Sequence, residues 1–196
     1  MSGLQRFRLD EVPEDAVASE GEPIFQHGSV IAFDQSITAT GWVRLDSGAD
    51  GVIVRAVGSI KCGPEGYPKG HEGTLLRAEY VGQQMAAILR RLPVQTVVHE
   101  QPPVATSKMA RPESSLLSAL ALRIEARRQG HSVVVVSNQH SKMVLLGKGQ
   151  GNATKAQWHT ALDRLPWTHE GATPTNEGQR DALCLALTYL IDKEPE

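Results

Sequence analysis

The 196-residue sequence is poor in the residues that would mark several classes of protein. It has two cysteines, Cys62 and Cys184, which are too few for a disulfide framework or a cysteine-rich zinc site. No apolar run is long enough to span a membrane, and the first residues lack the apolar stretch of a secretory signal. We therefore expect a cytoplasmic protein without a membrane partner, with room for one core of ordinary size.

A strong excess of positive charge is also missing, since the formal net charge is −2. The charges are nevertheless unevenly distributed along the chain. Residues 1–27 carry two arginines and six acidic residues, a net charge of −4, whereas residues 105–164 carry nine basic and three acidic residues, a net charge of +6. A local basic surface suits a partner made of phosphates, and a solvated helix face is the alternative explanation.

Apolar periodicity and turn residues predict one α/β domain over residues 28–196. Strands are predicted at about 29–35, 39–46, 51–62, 96–100 and 132–136, and helices at about 74–92, 112–129, 154–165 and 176–192. The first three strands form an antiparallel meander and the last two are parallel, so we expect a mixed five-stranded sheet flanked by helices. Residues 1–27 are predicted to be an acidic N-terminal extension, either disordered or packed along the domain.

An aspartate ends the first predicted strand. The apolar run Val30-Ile-Ala-Phe leads to Asp34, and the small polar residues after it precede a second strand that begins near Thr40-Gly41-Trp42. A buried carboxylate is unfavourable unless it is paired, hydrogen-bonded or bound to a metal. Asp34 is therefore either a functional carboxylate or a residue that caps its own turn.

Three further acids belong with Asp34. Glu100 ends the fourth strand, and a helical crossover allows that strand to lie parallel to the first, so both acids would meet at one sheet edge. Glu177 and Asp181 are four residues apart and share a face of the last helix, where helix-dipole and capping chemistry is the alternative explanation. Hard oxygen ligands of this kind suit Mg²⁺ or Mn²⁺, and a pair of such ions can cleave phosphodiesters.

Four motifs together resemble the RuvC Holliday-junction resolvases, within the ribonuclease H-like superfamily. They are Ile31-Ala-Phe-Asp34, Val97-Val-His-Glu100-Gln101, the segment 142–157, and Asp181-Ala-Leu-Cys-Leu-Ala-Leu. The segment 142–157 is the most specific, because it resembles the family pattern V-K-x-x-V-x-G-x-G-x-A-x-K-x-Q. Asp-Gln-Ser at 34–36, in place of the usual Asp-Pro-Gly, is typical of phage-encoded relatives.

The resemblance implies a ribonuclease H-like fold and a homodimer that binds four-way DNA junctions and nicks two strands symmetrically. It also implies the cytoplasm of a bacterium or of a phage-infected host cell. Two Mg²⁺ ions per site are expected, with Mn²⁺ as a substitute. The implied metal ligands, also catalytic, are Asp34, Glu100, Glu177 and Asp181, and Lys142 is a further catalytic residue. The residues expected to contact DNA are Lys108, Arg111, Lys142, Lys148 and Lys155.

The sequence departs from the family at two places. An aromatic residue that would wedge into the junction is replaced by Pro103, so junction opening would fall to Met109 or to the loop 104–111. The last acidic pair is usually three residues apart, but position 178 is glycine, and Glu177 is the predicted replacement.

Two other functions are compatible with the sequence. One is a nuclease of the same fold that acts on flaps, other branched DNA or RNA–DNA hybrids, and the other is a junction-binding protein that does not cleave. The apolar stripe on the helix 112–129, formed by Leu116, Leu117, Leu120 and Ile124, is predicted to contribute to the dimer contact. The histidines His140, His159 and His169 show no metal-binding spacing and are assigned no role.

Overall fold

The computed structural model describes residues 28–36, 38–49, 51–61, 67–102 and 112–192. The elements in chain order are β1 (Gly28–Asp34), β2 (Ala39–Gly48), β3 (Gly51–Lys61), α1 (His71–Arg91), β4 (Thr96–Glu100), α2 (Pro112–Arg128), β5 (Ser132–Val136), α3 (Asn138–Leu146), α4 (Lys155–Leu162), β6 (Trp167–His169) and α5 (Glu177–Ile191). Within these ranges, no helix has the length and apolar character needed to cross a membrane. The predicted extension, 1–27, lies outside the described residues.

The strands form one mixed sheet in the order β5-β4-β1-β2-β3-β6. β1, β2 and β3 are antiparallel neighbours, and β4 lies parallel to both β1 and β5. The predicted fold class is therefore confirmed, and so is the placement of β4 beside β1.

The predicted number of five strands was wrong by one. Trp167–His169 adds a sixth strand, which pairs in parallel with Val52–Val54 of β3. Three residues that follow a proline are too few to produce a periodic pattern, so the sequence gives no signal for this strand.

A fifth helix, α3, also goes beyond the four that were predicted. The Ser137 side chain caps its start by accepting a hydrogen bond from the His140 backbone N–H, and Gly147, at a φ of 102°, follows its last residue. Because the helix is only nine residues long and most of its residues are half-buried, its periodicity is weak.

Side-chain alternation along β1 divides the interior into two cores. Val30 and Ala32 face the core beneath α5, whereas Ile31 and Phe33 face the core beneath α1. The helix α5 is buried from Asp181 to Thr188 and lies across β1 and β2. The strands β1 and β4 therefore point alternate side chains towards α5, and this decides which residues can meet at their ends.

Candidate active site

Asp34 and Glu100 lie side by side at one edge of the sheet. In the parallel pairing of β1 with β4, Phe33 is opposite His99, so the two acids that follow are neighbours. Each acid lies two residues after a side chain of the α5 core, and the period of a strand is two, so both carboxylates are on the α5 side. His99 points to the other side of the sheet and is fully buried.

The Asp34 and Glu100 carboxyl groups are close enough for each to affect the pKa of the other. Burial is the largest cause that raises the pKa of Asp34 to about 8, and the hydrogen bond with Glu100 and repulsion by Glu100 and Asp181 add to it. Burial also raises the pKa of Glu100, and the charge on Asp181 contributes. Asp34, Glu100 and Asp181 are therefore close enough to repel one another. Binding of a proton or a cation would relieve this repulsion.

Gln35 and Asn138 fix the position of Glu100. The Glu100 backbone N–H donates to Gln35 Oε1 at 3.1 Å, and Gln35 Nε2 donates to the Glu100 carbonyl oxygen at 2.5 Å. Asn138 Nδ2 donates to Glu100 Oε1. The Gln35 side chain thus bonds to the Glu100 backbone in the way that a neighbouring strand would. Asn138, the first residue of α3, orients the Glu100 carboxylate.

The last helix brings Asp181 to the same place. Asn176 caps α5 by accepting from the Gln179 backbone N–H, with Gln179 completing a capping box. The start of the helix approaches β2 so closely that a Cβ on Gly41 would lie 2.1 Å from the Gly178 carbonyl carbon. A Cβ on Gly178 would itself lie 3.4 Å from Asp34 Oδ2. Both glycines thus allow α5 to begin directly beside Asp34.

Lys155 bridges the two acids of α5. Its Nζ lies 2.8 Å from Asp181 Oδ2 and also contacts Glu177 Oε1. Burial disfavours the charged amine, but the hydrogen bonds to Asp181 and Glu177 outweigh it and raise the pKa of Lys155. The hydrogen bond from Lys155 lowers the pKa of Glu177, whose side chain is largely exposed.

His159 contacts the second oxygen of Asp181. Its Nε2 lies 2.5 Å from Asp181 Oδ1, and its side chain is 16% exposed, whereas that of Asp181 is 5% exposed. The Asp181 carboxylate is therefore held by two donors from α4, Lys155 and His159, which are one helical turn apart.

Five of the predicted site residues come together: Asp34, Glu100, Asp181, Glu177 and Lys155. Lys142 is half-buried on α3, one helical turn after Asn138, and Lys148 is exposed in the turn that follows α3. The predicted DNA contacts Lys108 and Arg111 lie outside the described residues, as do Pro103 and the loop 104–111. Within the described ranges, no three His, Cys, Asp or Glu side chains are grouped closely enough to be a ready-made metal site.

Three residues of the site were missed in the sequence. Gln35 and Asn138 hold Glu100, and His159 holds Asp181. A signal existed for His159, because it follows Lys155 by four residues and must share its helix face. Gln35 had a weaker signal as a polar residue next to Asp34, and Asn138 had none.

Comparisons with known proteins agree with this arrangement at the level of the fold. No protein-family model matches the sequence, and no curated protein matches it significantly. RuvC from Thermus thermophilus is similar in structure, with a TM-score of 0.62 and 19% identity over 83% of this chain and 93% of that chain. T. thermophilus RuvC in complex with Holliday junction substrate gives a TM-score of 0.64 and 21% identity, over 83% of this chain and 92% of that one.

A eukaryotic resolvase has the same architecture. The yeast mitochondrial Holliday junction resolvase Ydc2 gives a TM-score of 0.58 and 12% identity, over 89% of this chain and 81% of that one. At such low identities the shared property is the fold. The resemblance predicted from the motifs is thereby confirmed, and the chain has the RuvC-type, ribonuclease H-like fold.

Proposed function

We propose that this protein is a divalent-metal-dependent endonuclease that resolves four-way DNA junctions by paired, symmetric nicks as a homodimer. The observation that carries the proposal is the meeting of Asp34 and Glu100 at the ends of β1 and β4, beside Asp181. These are acids that the RuvC resemblance implies as ligands, and they occupy one edge of a RuvC-type sheet. The similar structure of T. thermophilus RuvC with Holliday junction substrate supports the choice of DNA.

The donor groups fit a hard divalent cation. Asp34, Glu100 and Asp181 would hold it through carboxylate oxygens, with Glu177 as the fourth acid. Burial raises the pKa of Asp34 and of Glu100, and repulsion by Asp181 adds to it, so a cation bound here would stabilise the ionised carboxylates. When bound, Mg²⁺ or Mn²⁺ supplies activation of water and stabilisation of the leaving oxygen.

The basic residues have a separate task in this proposal. Lys155 lies at the acids, so its amine can neutralise charge on a phosphate bound there. Lys142 and Lys148 belong to α3 and the turn that follows it, and they extend the positive surface for the DNA backbone. Contacts of this kind position the nucleic acid and carry no sequence information.

The proposed dimer contact is the exposed face of α2. Leu116, Leu120 and Ile124 are spaced by four residues and are 58%, 51% and 48% exposed. The opposite face of the same helix packs against the sheet through Leu122 and Ala126. A junction has two-fold symmetry, so a second copy of the chain on this face would present two sites to it.

Cleavage of a substrate panel tests the activity. The panel contains a four-way junction, a flap, an RNA–DNA hybrid and plain duplex, each incubated with the full chain in Mg²⁺ and in EDTA. We expect Mg²⁺-dependent cleavage of the junction above all others. Preferred cleavage of the flap or hybrid would contradict junction resolution, and binding without any cleavage would contradict a nuclease.

Light scattering tests the assembly. Leu120→Glu introduces a charge on the stripe and should convert a dimer to a monomer, because the carboxylate would be buried in an apolar contact. Gln83→Glu makes the same change in charge at an exposed position of α1 and should leave the dimer intact. A wild-type protein that is monomeric at micromolar concentration, both free and on junction DNA, would contradict the dimer.

A further inference from the structure

His159 has a specific contact to which the proposed function assigns no role. It lies on α4 one turn after Lys155, and its Nε2 is 2.5 Å from Asp181 Oδ1. Lys155 Nζ is 2.8 Å from Asp181 Oδ2. The two donors therefore hold different oxygens of one carboxylate, and that carboxylate is almost wholly buried.

The backbone around His159 is held firmly against α5. Trp158 is fully buried in the core beneath α5, and its ring stacks on that of His159, with 6.0 Å between the ring centroids and an interplanar angle of 25°. From α5, one guanidinium nitrogen of Arg180 donates to the His159 carbonyl oxygen at 3.0 Å. The His159 backbone is thus bonded to α5 while its ring stacks on Trp158, and together these contacts limit the movement of Nε2 relative to Asp181.

Carboxylate chemistry decides the direction of the contact. An ionised carboxylate accepts hydrogen bonds and cannot donate, so the hydrogen must be on Nε2 of His159. Both the neutral tautomer with hydrogen on Nε2 and the imidazolium provide this donor. The contact therefore needs no change of protonation to persist.

We propose that His159 is a positioning residue that fixes the Asp181 carboxylate through Oδ1 in the orientation in which this carboxylate would hold a divalent cation. The inference rests on the proposed function, because it assumes that Asp181 is a metal ligand. Side chains that hydrogen-bond to ligating carboxylates orient them for the metal, and their loss typically costs about 10- to 100-fold in metal affinity or activity.

Two substitutions of His159 distinguish the effect of its hydrogen-bond donor from the effect of its aromatic ring. His159→Phe keeps an aromatic ring that can stack on Trp158 but removes the donor. His159→Gln keeps an N–H donor on a flexible side chain. His169→Phe makes the first change at an exposed histidine of β6 and is the matched control.

The measurement is calorimetric titration of the full-length, DNA-free chain with Mn²⁺, with thermal unfolding in EDTA to establish that each variant is folded. We expect His159→Phe to weaken Mn²⁺ binding about 10- to 100-fold, and His159→Gln to recover much of the loss. His169→Phe should bind like wild type. The Mn²⁺ concentration for half-maximal junction cleavage should rise in the same order.

Asp34→Asn distinguishes failure of this inference from failure of the proposed function. If Asp34→Asn abolishes Mn²⁺ binding while His159→Phe binds like wild type, the metal site stands and the positioning role is overturned. Equal loss in His159→Phe and His159→Gln, with both folded, would also overturn it, because the donor would not matter. If the wild-type chain binds no Mn²⁺, both the inference and the metal-dependent activity are overturned.

Discussion

The candidate site has two halves that differ in how their charge is balanced. In the strand half, Asp34 and Glu100 lie side by side without a basic partner in contact among the residues that the structure describes, and burial raises the pKa of both. In the helix half, each acid contacts a basic side chain: Glu177 contacts Lys155, and Asp181 contacts both Lys155 and His159. The strand half therefore has uncompensated negative charge, whereas the charge of the helix half is partly compensated by Lys155 from α4. A cation would relieve the strand half and would share Asp181 with Lys155.

Removing a strand-half acid should have the largest effect. Asp34→Asn or Glu100→Gln should reduce junction cleavage below detection, because a ligand and its charge are lost, and should leave junction binding within a few-fold of wild type. Cleavage gels and band-shift titrations measure the two properties. Glu72→Gln, at an exposed position of α1, is the control, and normal cleavage by either site variant would remove Asp34 and Glu100 from the chemistry.

A helix-half acid should matter less. Glu177→Gln keeps the size of the side chain but removes the charge that faces Lys155, so we expect a rate about 10- to 100-fold lower and a higher Mg²⁺ requirement. Single-turnover rates over a Mg²⁺ titration give both values, with Glu79→Gln on α1 as the control. A wild-type profile for Glu177→Gln would mean that Glu177 is only a charge at the start of α5.

The basic residues should have smaller and more uniform effects. Lys142→Ala and Lys148→Ala should each lower cleavage and reduce the salt dependence of junction binding by about one phosphate contact at most. The effect should be the same on every junction sequence, since phosphate contacts do not specify bases. Arg90→Ala, at the far end of α1, is the control. Changed sequence preference at an unchanged rate would indicate that these lysines contact bases.

The strand half should also make the metal-free protein sensitive to pH. Asp34 has an ordinary pKa of 3.8 and a folded-state pKa of about 8, so between these values the folded state holds a proton that the unfolded state has lost. This contribution to stability is complete below about pH 4 and is lost as the pH rises through about 8.

Thermal unfolding from pH 5 to pH 9 in EDTA checks this sensitivity. The melting temperature of the wild type should fall by a few degrees more than that of Asp34→Asn, and Mn²⁺ should reverse the difference. Asp163→Asn, at an exposed position after α4, should behave like wild type. Parallel pH profiles for wild type and Asp34→Asn would contradict the raised pKa.

The same two halves differ in how far they could be predicted. Asp34 and Glu100 each end an apolar run, which marks the end of a strand. The helix between the two strands allows them to lie parallel and adjacent, so the neighbouring positions of the two acids followed from the sequence. The contacts of α4 with α5 depend on how the two helices pack. The four-residue spacing placed His159 on the helix face of Lys155, but no local pattern showed that this face meets Asp181. The sixth strand was missed because three residues carry no period.

Some sequence predictions stay predictions. The role of Pro103, Lys108 and Arg111 and the division at residue 28 concern parts of the chain outside the described residues or at their edge. The phage-type assignment from the residues 34–36 also stays a prediction. The structure shows that the Gln35 side chain makes two hydrogen bonds with the Glu100 backbone.

Strand-by-strand mapping of the nicks in a four-way junction tests the central claim most directly. Each of the four strands is labelled in turn, and the full-length protein is added with Mg²⁺ or with EDTA. Our account predicts paired nicks at symmetric positions in two opposing strands, only in Mg²⁺ and absent with Asp34→Asn. Nicks that persist in EDTA or with Asp34→Asn, or an uncut junction in Mg²⁺, would contradict it.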